Sequence, residues 1–336
     1  MNIREIKIKN FKSLYDVSFS PGNINVFIGA NGSGKSSILE AIGVLSAAMT
    51  DRVNNNSLQR KGVRLSTSSL YKSQFRSIER SMPTVDFSMN WERYQNQYDY
   101  SVHLTTPTDN DTWKYHSESV SKNGEIVFGR SNRTSVQLNN KVGYYSLSEK
   151  LTGEEYTDMG DYISKYGIYQ PDTLTLRGNM ADPTQVNPIG LNGGRLADAM
   201  ENLFSTVDRE TRFGTMDIGD VLELIEWASD LHITKPQKSN LNPGVPSTRQ
   251  VIEFQDRFLK DKAKFTGYDA SEGALYVLFM LTLAMHPDVP GMFAIDSFDH
   301  ALNPRLAKRI TEIFSKLVIE RGKTVFMTTH NPLVLD

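Results

Sequence analysis

The chain has 336 residues, of which 39% are hydrophobic and 23% charged, enough for one large or two modest domains. Its net charge of −2 and pI of about 6.3 give no global sign of nucleic-acid binding, although a local basic surface is compatible with them. The absence of cysteine excludes disulfides, thiolate metal sites and cysteine nucleophiles, and is compatible with the cytoplasmic location that we expect.

The first nine residues alternate apolar and charged side chains, which indicates an amphipathic strand and not a signal peptide. The longest apolar run, Ala274–Met285, is far shorter than the roughly 20 residues that a membrane-spanning helix needs. We therefore expect a soluble protein that does not engage a membrane.

A glycine-rich octapeptide follows three short predicted strands, Ile3–Ile8, Tyr15–Phe19 and Ile24–Ile28. Gly29–Ser36 fits G-x-x-x-x-G-K-[ST], the phosphate-binding loop, and helical spacing resumes over Ser37–Met49. The order strand, loop, helix matters because it aims backbone N–H groups and a helix N-terminus at phosphate oxygens.

The loop predicts a nucleotide site with Mg²⁺. We expect Lys35 to reach the β- and γ-phosphates and the Ser36 hydroxyl to ligate the metal. The candidate nucleotide-binding residues of this segment are Asn31, Gly32, Ser33, Gly34, Lys35, Ser36 and Ser37.

From about residue 51 to residue 170 the chain is rich in Ser, Asn, Thr and Tyr. Short alternating stretches at Thr84–Met89, Tyr98–Leu104 and Lys141–Ser146 are typical of antiparallel strands. We interpret this region as an inserted β-lobe with polar loops.

Helical spacing returns at Leu196. Apolar stripes predict two helices, and a linker at Lys235–Ser247 precedes a charged helix predicted around Thr248–Lys264. The stripes comprise Leu196, Met200, Leu203 and Phe204, then Val221, Leu222, Leu224, Ile225 and Ala228. The short heptad runs exclude a long coiled-coil arm, and the last 70 or so residues return to the helix–strand alternation of α/β proteins.

A carboxylate at the end of a second apolar strand completes the predicted metal site. Asp296 ends Met292–Asp296, and we expect it beside Ser36, holding the metal directly or through its outer shell. The separation of the two motifs exceeds what a compact P-loop kinase or GTPase needs. It suggests an ATPase core interrupted by insertions.

Two further segments contain candidate ligand-binding groups. Ser271 is a good N-cap for the helix Ala274–Met285, and Gly273 permits close approach of a ligand, so this helix start is either an ordinary cap or an anion site. His330 follows the predicted strand Thr324–Met327, where α/β sheets bind ligands, although a lone His is usually a satisfied polar residue.

Together and in this order, these segments resemble the ABC-type ATPase heads of the SMC, RecF and OLD superfamily. The resemblance covers roughly residues 1–50 and 265–336. Its motifs are Ile6–Ser13 as the first strand and turn, Gly29–Ser36 as Walker A, Ala270–Gly273 as a degenerate signature motif, Ala294–Pro304 as the Walker B and D-loop stretch, Thr329–His330 as the switch histidine, and Tyr169–Pro171 as a weak Q-loop candidate.

The resemblance implies an α/β fold: an ABC-ATPase-like P-loop head with an inserted antiparallel β-lobe and a helical subdomain. We expect residues 1–50 to form the N-terminal part of the core with Walker A, and residues 51–195 the β-rich lobe. Residues 196–265 are then the helical subdomain, and residues 266–336 the C-terminal part of the core with the signature, Walker B and switch His.

The resemblance also implies ATP and Mg²⁺ as cofactors and a homodimer or higher homo-oligomer. ATP would bind the Walker motifs of one subunit, while Ser271 and Gly273 of a second subunit close over the γ-phosphate. Lys12 would reach the nucleotide, Gln170 would contribute to the nucleotide and metal site, and His330 would sense the γ-phosphate.

The sequence departs from these ATPase heads at one position that affects catalysis. These heads normally carry Glu after the Walker B Asp, to orient the attacking water, but here Ser297 occupies that position and cannot act as the base at neutral pH. Asp299, expected on the same face of an extended segment, is either a substitute or a D-loop residue. We therefore predict an ATPase that is slow or needs a partner's carboxylate, with Asp296, Ser297, Asp299 and His330 as the catalytic candidates.

Three functions remain open. Anti-phage defence ATPases of the Septu and retron-associated type, paired with a nuclease or toxin, resemble this chain in size, β-lobe and lack of coiled coil, and imply a head that couples ATP state to DNA surveillance. The alternatives are a RecF-like repair ATPase that binds duplex DNA and a weakly hydrolysing ATP-gated scaffold. An ABC transporter subunit fits less well, because its signature is normally richer in glycine.

Direct DNA binding and cleavage have less support. The basic residues of the predicted charged helix interleave with acidic ones, so a solvated helix face competes with a DNA-binding surface. The basic residues are Arg249, Arg257, Lys260, Lys262 and Lys264, and the acidic ones are Glu253, Asp256 and Asp261. Related proteins usually continue beyond the switch histidine, some into a nuclease domain. Since no acidic cluster with metal-ligand spacing occurs elsewhere in the sequence, we expect any cleavage to come from a partner or a further segment.

Overall fold

The alternation at the N-terminus produces the predicted strands. β1 (Asn2–Phe11) and β2 (Leu14–Phe19) pair antiparallel, and β3 (Ile24–Ile28) leads into the glycine-rich loop. The apolar side chains of β1 are buried and most of its charged ones are exposed, because successive residues of a strand face opposite sides. All three strand predictions are confirmed.

The computed structural model divides into two units. The first comprises Met1–Ile168, Pro290–Asp296 and Thr324–Thr328; the second comprises Tyr169–Val289, Ser297–Lys323 and Thr329–Asp336. Within these ranges the structure describes residues 1–77, 82–107, 111–131, 139–144, 146, 154–184, 186–205, 212–239, 241–242, 244–245, 250–260 and 264–331.

A six-stranded antiparallel sheet forms the largest element of the first unit. Four strands, β4 (Val85–Arg93), β5 (Asn96–Thr105), β6 (Lys114–Lys122) and β7 (Glu125–Ser131), continue the sheet of β1 in the order β2-β1-β4-β5-β6-β7. The predicted antiparallel strands are thus confirmed in β4 and β5, and they share one sheet with the N-terminal strands because β4 pairs with β1.

The strand predicted at Lys141–Ser146 is wrong. Residues 141–144 begin with a turn and end in a helical residue, and Gly143 N–H donates to the Asp51 carbonyl at 2.6 Å. Conversely, β6 and β7 were not predicted, because their buried sides contain the ion pair of Glu118 and Arg130, while Ile126 and Val127 of β7 are exposed, so neither strand shows a plain apolar alternation.

Helices α1 (Lys35–Thr50), α2 (Asn55–Arg60) and α3 (Glu154–Ser164) belong to the same unit, as does a 3₁₀ turn at Ser68–Tyr71. Helix α1 is buried on nearly all sides and contacts β1, β4 and α3. Burial of this helix in the core fixes the start of the helix, and with it the glycine-rich loop.

A smaller sheet, in the order β3-β15-β14-β8, positions the acidic residue. β14 (Met292–Ile295) and β15 (Thr324–Thr329) run parallel, and β8 (Ile168–Tyr169) is the strand at which the first unit ends. The Asn25 side chain donates to the Val325 carbonyl at 3.0 Å, which ties β3 to β15. Asp296 therefore leaves the sheet directly after β14.

The second unit contains helices around a three-stranded antiparallel sheet, β11 (Ala228–Thr234), β12 (Val251–Asp256) and β13 (Lys264–Thr266). Its other elements are α4 (Thr173–Leu176), α5 (Leu196–Ser205), β9 (Arg212–Phe213), β10 (Met216–Asp217), α6 (Ile218–Leu224), a 3₁₀ turn at Pro236–Lys238, α7 (Glu272–Met285) and α8 (Pro304–Glu320).

The charged helix predicted around Thr248–Lys264 is wrong, since its described residues contain β12 and the first residue of β13. Four consecutive buried residues, Val251–Phe254, form a central strand that helical periodicity cannot describe. The Arg257 guanidinium donates to the Ala228 carbonyl at 2.8 Å, and Lys264 lies 3.6 Å from the Glu253 carboxylate. Arg249 and Lys262 lie outside the described residues.

The predicted end of the chain is confirmed as helix, strand, helix, strand: α7, β14, α8 and β15. Ser271 caps α7 as expected, accepting a hydrogen bond from Ala274 N–H at 3.3 Å. Among the described helices, none combines the length and apolarity needed to cross a membrane.

Two buried lysines predict how stability depends on pH. Burial lowers the pKa of Lys61 to about 8, against a weaker opposing effect of Asp51, and lowers that of Lys323 to about 8, with Arg321 adding to the effect. Above pH 8 the folded protein releases these protons while the unfolded chain keeps them, so the two lysines raise the free energy of unfolding with pH up to about 9, below the range in which the tyrosines of the unfolded chain ionise. We expect each lysine to contribute up to about 1.4 kcal/mol per pH unit.

Denaturant unfolding at pH 7 to 9 measures this rise, which should shrink in Lys61→Met and in Lys323→Met. The exposed Lys308 on α8 provides the matched control, Lys308→Met. An unchanged slope in both buried-lysine variants contradicts the prediction.

Candidate functional site

The glycine-rich loop Gly29–Ser36 is shaped by glycines whose conformation other residues adopt poorly. Gly32 has φ 78° and Gly34, the N-cap of α1, has φ 100°. A Cβ on Gly34 would lie 2.7 Å from Ser13 Oγ, so a side chain there meets both strain and a close neighbour. Among the described residues, no side chain caps this end of α1, which leaves the N–H groups of its first turn available to an anion.

Lys35 folds back over the loop. Its Nζ donates to the carbonyl oxygens of Gly29, at 2.8 Å, and Ala30, at 2.9 Å, and the residue is only 9% exposed. The ammonium therefore lies inside the loop, where a phosphate would meet it together with the backbone N–H groups.

Asp296 lies beside Ser36, at the end of β14. Its Oδ1 accepts hydrogen bonds from Ser36 Oγ at 3.1 Å and from Thr328 Oγ1 at 2.5 Å. One carboxylate and two hydroxyls are hard oxygen donors of the kind that Mg²⁺ prefers, alongside water and substrate phosphates. The donor set fits Mg²⁺, with Ser36 and Asp296 as the residues that would hold it.

Thr328 was missing from the predicted site, although the sequence contains a signal for it. Because β14 and β15 are parallel and Ile295 pairs with Met327, the next residues of the two strands, Asp296 and Thr328, are neighbours. Pairing the two predicted strands in this register would have identified it.

A buried ion network next to the loop was also missing from the prediction. Glu40, on α1, is 2% exposed and accepts from Lys12 Nζ at 2.6 Å and from Arg64 Nε at 2.6 Å. Its hydrogen bond and charge raise the pKa of Arg64, and the charge of Asp296 adds to this effect. Arg64 is thus within electrostatic reach of the predicted metal site while most of its side chain remains exposed.

The sequence contains one clue to this network, a single acidic residue, Glu40, in the otherwise uncharged run Ser36–Thr50. A buried carboxylate needs cationic partners, because leaving its charge unpaired costs several kcal/mol. Lys12, predicted to reach the nucleotide, is one of these partners, and its Nζ also lies 5.5 Å from the ring centres of Phe11 and Tyr71.

A basic cleft of about 570 Å³ opens beside the loop. Lys12, Arg64 and Lys72 line it, together with the hydroxyl groups of Ser13 and Ser37, whose Oγ atoms lie 3.2 Å apart. Its volume is in the range of small-molecule sites, and its cations suit an anionic ligand.

The second unit contains the predicted signature residues. Ser271 and Gly273 begin α7, and a Cβ on Gly273 would lie 3.3 Å from the Ala301 carbonyl oxygen, so the start of α7 is in close contact with the segment before α8. These residues line a cleft of about 480 Å³ that also includes Trp227 and Arg305.

The extended segment expected after Asp296 is wrong. Ser297 has φ 60° and residues 296–301 form turns, in which His300 N–H donates to the Ser297 carbonyl at 3.0 Å. Phe298 is fully buried and packs against Phe314, at 5.6 Å between ring centres. Strand alternation therefore does not place Asp299 on the face of Asp296, and the role of Asp299 as a base stays a prediction.

Gln170 and His330 also lie in the second unit. The backbone of Gln170 is fixed by hydrogen bonds, from its N–H to the Leu191 carbonyl at 2.8 Å and to its carbonyl from the Asn192 side chain at 2.9 Å, while the residue itself is exposed. His330 is exposed and directly follows β15. Their nucleotide and metal roles stay predictions.

Comparison with solved structures identifies the architecture. The chain aligns over 100% of its length with 91% of an SMC head bound to the C-terminal winged-helix domain of ScpA, at 14% identity and a TM-score of 0.58. The fold is that of an SMC head. A second SMC head, with an extended coiled coil and bound to a C-terminal domain of ScpA from Pyrococcus furiosus, aligns over 99% of this chain and 91% of its own, at 12% identity and a TM-score of 0.54.

Sequence comparisons match both ends of this SMC-head fold. Residues 1–152 match the family described as "AAA ATPase domain", and residues 194–336 match the family described as "AAA domain, putative AbiEii toxin, Type IV TA system". The DNA replication and repair protein RecF of Lysinibacillus sphaericus is 44% identical over 59 residues, and that of Lacticaseibacillus casei is 43% identical over 58.

Each RecF match covers 17% of this chain and 15% of the relative, so the chain spans only a small part of those proteins' length. Together with the SMC-head fold, the matches support a nucleotide-binding ATPase of the ABC type.

The conformation of Gly34 allows the effect of Gly34→Ala on stability and ATP binding to be predicted. The positive φ and the 2.7 Å approach to Ser13 force the loop to shift, which should lower the free energy of unfolding by on the order of 1–3 kcal/mol and weaken ATP binding. Denaturant unfolding and binding of a fluorescent ATP analogue measure the two effects. Gly22→Ala is the control, since the nearest atom to its Cβ is 3.8 Å away; equal effects of both substitutions would contradict the prediction.

Proposed function

We propose that this chain is an ATP-dependent dimerising head in which ATP, held by the loop of one protomer, is covered by Ser271 and Gly273 of another. The observation that carries the proposal is the arrangement of Lys35, Ser36 and Asp296 in the first unit. The carbonyls of the loop hold the Lys35 ammonium, and the Ser36 hydroxyl contacts the Asp296 carboxylate. The groups proposed to bind phosphate and metal are therefore adjacent.

In this proposal the protein's own groups bind and orient the triphosphate. The N–H groups at the start of α1 and the Lys35 ammonium hold its phosphate oxygens. When bound, Mg²⁺ neutralises charge that develops on those oxygens. We also assign Arg64 a contact with the same anion, because Glu40 fixes its Nε while its side chain, 70% exposed, keeps N–H groups open to a ligand.

We further propose that the ATP state of this head controls a partner effector, a nuclease or a toxin, in anti-phage defence linked to DNA surveillance. The match of residues 194–336 to a family whose description names a toxin of a toxin–antitoxin system supports this role. The SMC heads of similar fold are described in complex with ScpA, which supports a partner protein docking on the head. We place this activity in the cytoplasm.

The RecF matches favour a second candidate, an ATPase that binds duplex DNA. The described basic residues around Arg257 give this candidate limited support. Lys264 is within ion-pair distance of buried Glu253, and Arg257 donates to a backbone carbonyl, so both have partners within the protein.

Complementation between two defective chains tests the shared site. Lys35→Ala should weaken ATP binding about 10- to 100-fold, because a charge-assisted contact to phosphate is lost. Ser271→Ala should bind ATP normally but dimerise only at much higher protein concentrations than the natural chain. Mixing the two variants restores one composite site, so sedimentation with ATP should show dimers at a protein concentration at which neither variant dimerises alone.

Two results would contradict the proposal. Normal ATP binding by Lys35→Ala would show that the glycine-rich loop is not part of the ATP site. A natural chain that stays monomeric with ATP would show that the nucleotide does not cause dimerisation. If the mixed variants do not complement, the signature residues do not act across protomers.

We expect slow ATP hydrolysis, because Ser297 occupies the position at which a catalytic Glu is expected. Introducing a base with Ser297→Glu should raise the turnover of ATP about a hundredfold, since a positioned general base contributes about 10²–10⁴. Ser297→Gln is the matched control: it imposes the same strain at φ 60° and the same size, but carries no base. Steady-state phosphate release measures the rates. Equal rates for the two variants would show that Asp299 or a partner's group is the base.

A further inference from the structure

Trp227 stands at the cleft of the second unit, between α6 and β11. Its indole ring packs against Phe254 of β12, at 5.2 Å between ring centres, and against Phe265 of β13, at 6.3 Å and nearly perpendicular. These contacts fix the ring, which lines the same cleft as Ser271 and Gly273.

The indole N–H of Trp227 donates to Ser271 Oγ at 3.3 Å. The same oxygen accepts from Ala274 N–H, also at 3.3 Å, as the cap of α7. A serine hydroxyl has two lone pairs and one hydrogen. Both lone pairs are therefore occupied, and the hydroxyl hydrogen must point away from Trp227 and from the helix.

The consequence is a serine that can only donate. A water molecule or neutral carbonyl accepts such a bond, but a phosphate oxygen accepts it more strongly, because an ionised acceptor makes the bond roughly twice as strong. With the capping bond alone, the hydroxyl would keep one free lone pair and a freely rotating hydrogen.

We propose that Trp227 is a positioning residue for Ser271: it orients the hydroxyl as a donor to the terminal phosphate of the ATP bound by the second protomer. This inference rests on the proposed function and deepens it, since it gives the signature serine a fixed proton direction. Trp227 itself does not touch the nucleotide.

A double-mutant cycle tests the inference on the full chain. Trp227→Phe keeps an aromatic ring against Phe254 and Phe265 but removes the N–H donor. It should raise the ATP concentration needed for half-maximal dimerisation about three- to tenfold, the value of one hydrogen bond. ATP binding to the monomer, measured under conditions too dilute for dimers, should not change.

The second arm is Trp227→Phe in the Ser271→Ala background, measured at protein concentrations high enough for residual dimers. If Trp227 acts through Ser271, its substitution has no further effect there. An equal effect in both backgrounds would show a merely structural role and overturn the inference, as would a Trp227→Phe single variant that dimerises like the natural chain.

These outcomes are separable from failure of the proposed function. A natural chain that dimerises with ATP while Trp227→Phe behaves identically overturns only the role of Trp227. A natural chain that does not dimerise overturns both. Thermal unfolding of each variant verifies that the fold is retained.

Discussion

The contact between Ser36 and Asp296 is the constraint around which the first unit is arranged. It joins a helix start to the end of a strand across 260 residues of sequence, and Thr328 adds a second hydroxyl to the same carboxylate oxygen. Three separate chain segments must therefore reach one point. Burial of α1 and the parallel pairing of β14 with β15 are what bring them there.

The ion network around Glu40 places positive charge beside the glycine-rich loop. A carboxylate buried one helical turn beyond Ser36 holds Lys12 and Arg64 next to the loop without exposing an opposing negative charge to solvent. The first unit thus has cationic side chains beside its glycine-rich loop. Local charge at the site, and not the net charge of −2, is what suits an anionic ligand.

Much of the fold was predictable because its signals are local. The strand–loop–helix around Lys35 and the capped helix after Ser271 depend on residues adjacent in sequence. The failures share a physical cause. Burial of Val251–Phe254 and the turn at Ser297 are set by packing partners that are distant in sequence, and local patterns do not record them. The contact of Thr328 with Asp296 lies between these two cases. It can be predicted from the sequence, but only after the register of β14 and β15 is known.

The position of Lys35 also has a thermodynamic consequence. Because its ammonium already bonds two loop carbonyls, a phosphate that binds as in the proposed function would exchange hydrogen bonds and not simply add them. The free energy gained is then a difference between two satisfied states, and the loop is held in shape before the nucleotide arrives. Less ordering is needed on binding, which lowers the entropic cost of association. The two carbonyl contacts of Lys35 therefore keep the loop in its binding conformation before a ligand is present.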